Sequence, residues 1–169
     1  MIEKLHRLLR EHFGPETGSG DDDANALQLA TATLLMEVAR ADNRVTAGER
    51  RDIGRMIENH FGLSSEQTRN IAESAERDAQ QATSLYPFTR LINRLCDPDE
   101  KTQIIGMLWR VTCSDGYVDK YEEHLVRKIA DLLYVPHREF IRMKLAVVDG
   151  QKPVNPAVSA NASPGGSDE

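Results

Sequence analysis

Cysteine is scarce in this chain: Cys96 and Cys113 are the only two. Neither stands in a CxxC pair or at a Cys–His spacing, and both fall within apolar helical patterns. A disulfide framework and a thiolate metal site are therefore set aside in favour of reduced core thiols. Long apolar runs are missing too. The longest, such as Ile104 to Trp109, fall far short of the roughly 20 residues that cross a bilayer. The start, Met1-Ile2-Glu3-Lys4-Leu5-His6-Arg7-Leu8-Leu9-Arg10, carries charges throughout and offers no apolar core for secretion. These absences predict a soluble cytoplasmic protein with no membrane span. There is no basic excess: 21 Lys plus Arg face 27 Asp plus Glu, a net charge of -6. That balance disfavours nucleic acid as a partner.

Catalytic signatures are also lacking. No HExxH or comparable metal spacing links His60, His124 and His137, and His6 and His12 sit on a small N-terminal segment. No nucleophile motif and no glycine-rich phosphate loop occurs, so the chain is expected not to be an enzyme. Met107 and Trp109 have the spacing of core residues.

What is present is helical periodicity with well-marked ends, and no convincing strand. Ile2, Leu5, Leu8, Leu9 and Phe13 predict an N-terminal amphipathic helix over residues 1–13. An acidic, glycine-containing linker follows over 14–23, with Asp22 or Asp23 capping the next helix. The main domain is expected over 24–148 as a single all-α bundle, giving about eight helices in all with the N-terminal one. Its first central helix runs from Ala24 to about Ala41. Thr46 with Glu49 forms a capping box for the second helix, Gly62 closes it, and Ser64 to Gln67 opens a polar, alanine-rich third. Leu85 to Leu95 suggests a short helix, and Asp97-Pro98 starts the second central one. Asp119 caps a helix ending near Tyr134, and Pro136 starts a last one that runs through Phe140, Ile141 and Leu145 to about Val148. Residues 149–169 are rich in Pro, Gly, Ser and Asn and are expected to be disordered.

Within this pattern one acidic turn is written twice, as Asp42-Asn43-Arg44-Val45-Thr46-Ala47-Gly48-Glu49 and Asp115-Gly116-Tyr117-Val118-Asp119-Lys120-Tyr121-Glu122. The offset, 115 minus 42, is 73, and it also pairs Leu35 with Leu108, Val38 with Val111, Ile53 with Val126 and Met56 with Ile129. Two related helical halves are implied. The turns are not EF-hand loops. Placing Asp115 at the fifth loop position puts Val111 and Cys113 where oxygen ligands belong, and the first half offers Val38 and Arg40 there.

A structural reading gives Asn43 and Gly116 left-handed backbone, Thr46 and Asp119 the caps, Glu49 and Glu122 the closing residues of capping boxes, and Val45 and Val118 anchoring roles. It leaves Asp42 and Asp115 without a duty, which makes them ligand candidates. If the turns face one another, Asp42, Glu49, Asp115, Asp119 and Glu122 could offer oxygen ligands to a hard divalent cation such as calcium, magnesium or manganese. Arg44 is the alternative occupant of that space.

The doubled turns, each set between an apolar and an amphipathic helix, resemble the TerB family of tellurite-resistance-associated domains, over about Ala24 to Val148. The resemblance implies a bundle of some seven helices in two similar halves. It also implies a cytoplasmic bacterial protein of tellurite or chemical-stress response that binds a divalent metal through its acidic turns. By position the implied ligands are Asp42 and Glu49, then Asp115, Asp119 and Glu122, with Asn43 and Thr46 departing from the fully acidic form. The same domain accompanies J-domains in membrane-anchored co-chaperones, but no His-Pro-Asp motif occurs here. The expectation is a non-enzymatic binding module for a cation, or for a protein partner meeting its acidic face or N-terminal helix. The alternatives are an interaction scaffold with purely structural turns and a metal-dependent hydrolase using the same carboxylates.

Overall fold

The structure, a computed structural model, describes residues 19–151. The expected N-terminal helix, the first part of the linker and nearly all of the tail lie outside the described residues. Among the described residues seven helices follow one another: α1 (Ser19–Ala39), α2 (Ala47–Phe61), α3 (Ser65–Gln81), α4 (Tyr86–Leu95), α5 (Pro98–Thr112), α6 (Lys120–Leu132) and α7 (His137–Gln151). The class is all-α, and no strand occurs among the described residues.

Helix α1 is central because it is apolar all round. Every residue from Leu29 to Met36 is buried, as are Val38 and Ala39, and α2 through α6 pack against it. It starts at Ser19, ahead of the expected cap at Asp22 or Asp23, so part of the anticipated linker is helix. Asp21 and Asp22 instead occupy its first turn, where negative charge meets the positive end of the helix dipole. Asp23 pairs with Arg94 on α4 at 3.0 Å.

Helix α5 is the second central element, with Ile104 to Trp109 buried at successive positions. Helices α1, α2 and α3 touch pairwise, as do α5, α6 and α7, and the two sets meet through α1 with α5, α1 with α6 and α2 with α5. The sets are unequal. Helix α4 has no counterpart, and α1 has 21 residues against 15 in α5.

Local chemistry sets the helix ends as the sequence suggests. Capping boxes form at Thr46 with Glu49, Ser64 with Gln67, and Asp97 with Glu100, each satisfying free N–H groups at both ends of the box. Gly62 terminates α2 at φ 66°, a conformation that a residue without Cβ adopts without strain. Helix α3 buries Thr68, Ile71, Ser74, Ala75 and Ala79, mostly small residues that let it lie close on α1, and most of its polar remainder faces water.

Helix α7 rests on α5 and α6. The Trp109 indole N–H donates to the Phe140 carbonyl at 3.2 Å, and the two rings lie 5.1 Å apart. Gly106 leaves room for the Met143 side chain, which a Cβ at that position would meet. Leu145 is exposed, and among the described residues α7 packs against α5 and α6.

Candidate functional site

The α1–α2 and α5–α6 connections fold alike down to single hydrogen bonds. In the first, the Asn43 N–H donates to the Arg40 carbonyl at 2.7 Å; in the second, the Gly116 N–H donates to the Cys113 carbonyl at 3.0 Å. Asn43 and Gly116 both take positive φ, 66° and 79°. Glycine does so freely and asparagine is among the few side chains that tolerate it. Val45 and Val118 pack part-buried against the core below.

The duties of the acids differ from those expected. Asp42 Oδ1 accepts the Arg44 N–H at 3.0 Å, and Asp115 Oδ1 accepts the Tyr117 N–H at 2.9 Å. These are Asx-turns, in which a side chain fixes its own backbone two residues on. The two residues thought to lack a structural role therefore have one. Glu49 Oε2 accepts the Thr46 N–H at 2.6 Å and closes its box as expected. Asp119 Oδ1 caps α6 by accepting from Tyr121 at 2.7 Å and, more weakly, from Glu122 at 3.4 Å.

Glu122 departs from its expected place. It does not close a box with Asp119, although an acidic cap is no obstacle, since Asp97 and Glu100 close one on α5. It is only 8% exposed, and its carboxylate makes no hydrogen bond or ion pair among the described residues. Burial first, then the negative fields of Asp115, Asp119, Asp42 and Glu49, push its carboxyl up to about 7. Acids from both turns thus raise the carboxyl of one residue. The Arg44 side chain forms no ion pair among the described residues and does not compensate this charge.

The donor set suits a hard cation in kind: five carboxylates, four of which spend one oxygen on a backbone N–H and keep the other. In arrangement it is not closed. Among the described residues no three His, Cys, Asp or Glu side chains are placed to hold a metal ion. The acids do not converge on one point, so gathering around an ion would require side-chain rotation.

One further acid escaped the sequence reading. Glu37 sits in the apolar run Leu34-Leu35-Met36-Glu37-Val38-Ala39, where a lone charge was the available signal. One of its oxygens is buried without a partner, and burial, opposed by Arg40, raises its carboxyl. The thiols are poor nucleophiles, with burial pushing Cys96 up to about 11 and Cys113 upward. His60 and His124 are exposed, and His137 stacks near Phe140, its ring 5.8 Å away. No described helix is long and apolar enough to cross a membrane.

No curated protein and no solved structure matches the chain. Residues 28–145, well over half of its length, match the family model described as Tellurite resistance protein TerB. That span runs from within α1 to within α7 and includes both acidic turns, and with the all-helical bundle it establishes that the chain belongs to the TerB family.

Proposed function

We propose that this chain is a non-enzymatic TerB-family binding module that takes a hard divalent cation, calcium, magnesium or manganese, at the corner between its acidic turns. Its setting would be the tellurite or chemical-stress response of a bacterial cytoplasm. One observation carries the reading: Glu122 is a nearly buried residue whose carboxylate has no ion pair among the described residues and lies in the negative fields of four further acids. Desolvated like charges are costly unless a cation offsets them. Rotation of the spare oxygens of Asp42, Glu49, Asp115 and Asp119 toward Glu122 would supply such an ion with oxygen ligands.

The second reading, an interaction scaffold with structural turns, is favoured by the backbone hydrogen bonds that those four acids already accept. Calorimetric titration of each cation into chelator-stripped protein separates the two, with Asp42→Asn/Asp115→Asn as control. Asparagine keeps the Oδ1 acceptor of each Asx-turn, so the control removes charge and leaves the turns folded. Saturable heat in the wild type, weakened about tenfold or more by the two lost charges, is the expected result. Absence of both heat and thermal shift with every cation would leave the turns as helix caps. Binding without turnover of a phosphoester or ester would also exclude the hydrolase alternative.

A further inference from the structure

The two turns serve as controls for each other, because residues that the fold requires recur in both. The acid that starts the Asx-turn, the residue at positive φ, the part-buried valine, the cap and the glutamate three residues after it are all present twice. Tyr117 and Tyr121 do not recur. They stand where the first turn has Arg44 and Gly48, and the first turn folds without aromatic side chains there. The fold therefore does not ask for them, yet they are 70% and 65% exposed. Phe88, Trp109 and Phe140 are buried, and the other two tyrosines, Tyr86 and Tyr134, are exposed but lie away from the acidic turns in sequence.

These two rings flank Asp119 and follow Asp115, on the turn whose helix carries the unpaired Glu122. The chain already shows that one of them receives a cation, since the Lys120 ammonium lies 5.5 Å from the Tyr121 ring centroid. Aromatic faces beside carboxylates suit a guanidinium, which stacks on a ring while its N–H groups bind a carboxylate, and an ammonium suits them less. We infer that the second acidic turn docks an arginine-bearing segment of a partner protein, with Tyr117 and Tyr121 as stacking faces and Asp115 and Asp119 as the charge partners. The surface goes beyond the proposed ion site, because the tyrosines are no part of that donor set.

Fluorescence anisotropy of the full, chelator-stripped chain with a labelled peptide of alternating glycine and arginine tests this, with the lysine counterpart as comparison at about 0.15 M salt. The wild type should bind the arginine peptide several-fold more tightly than the lysine peptide. Tyr117→Ser/Tyr121→Ser should weaken the arginine peptide about tenfold and abolish the preference. Tyr117→Phe/Tyr121→Phe should retain both. Equal affinity for the two peptides, no binding by the wild type, or an undiminished serine variant would overturn the inference. The serine variant should keep the wild-type melting temperature, as expected for exposed positions, and should still bind the cation. A chain that binds cation but not peptide refutes this inference alone, whereas one that binds peptide but no cation refutes the proposed function alone.

Discussion

Glu122→Gln is expected to stabilise the protein at pH 8 and to remove most of a downward slope of stability between pH 5 and pH 8. The carboxyl moves from 4.5 to about 7 on folding, because burial and four neighbouring acids disfavour its charge. The folded state thus holds a proton that the unfolded state has already released. Below pH 4.5 both states are protonated and the group contributes no difference. As pH rises from there to 7 the wild type loses stability, and above 7 the loss levels off at about 3 kcal/mol by linkage. Glutamine stays neutral at every pH. The variant should therefore match the wild type near pH 4 and exceed it at pH 8 by a margin worth roughly 10 °C in melting temperature. Thermal melts across this range check it, and a variant that is less stable at pH 8 would mean that Glu122 is compensated after all.

Trp109→Ala is expected to be the most damaging single core change, costing about 3–5 kcal/mol. The side chain is fully buried, packs on Phe140, donates its N–H to the Phe140 carbonyl and lies under the Lys144 ammonium at 5.2 Å. Truncation opens a large cavity where α7 meets α5. Among the described residues helix α7 is held by α5 and α6, so amide exchange should show protection lost first along His137–Gln151. Trp109→Phe keeps a ring against Phe140 but orphans that carbonyl, for a smaller cost of about 1–3 kcal/mol. Equal losses in the two variants would show that the hydrogen bond, and not the packing, dominates.

The fold was legible where it is encoded locally. Thr46 with Glu49, Ser64 with Gln67, Gly62 and Asp97-Pro98 act within one turn of the helix that they start or stop, so their letters suffice. The start of α1 was not, because Ser19 to Asp23 reads as a polar linker and the Asp23–Arg94 pair that ties it to α4 spans 71 residues. Leu145 follows the apolar period of α7 yet is exposed among the described residues. Of the five candidate acids, Glu49 and Asp119 have the local roles expected of them, whereas Asp42, Asp115 and Glu122 do not. The Asx-turns of Asp42 and Asp115 are local and could have been anticipated from their spacing to Arg44 and Tyr117. The fate of Glu122 could not. Glu49, Glu100 and Glu122 occupy the same position after a cap, and only tertiary packing decides that the third is buried among acids from two turns.

That one residue gives the most direct test of the acidic corner as a cation site. Chelator-stripped wild type and Glu122→Gln would be melted at pH 5 and pH 8, with and without calcium, magnesium or manganese. At pH 8 a cation at a hundred times its Kd should stabilise the wild type by about 2.7 kcal/mol. The effect should shrink at pH 5, where the carboxyl is protonated, and largely vanish in the glutamine variant. No shift at pH 8 with any of the three cations, or an equal shift in the variant, would contradict the account.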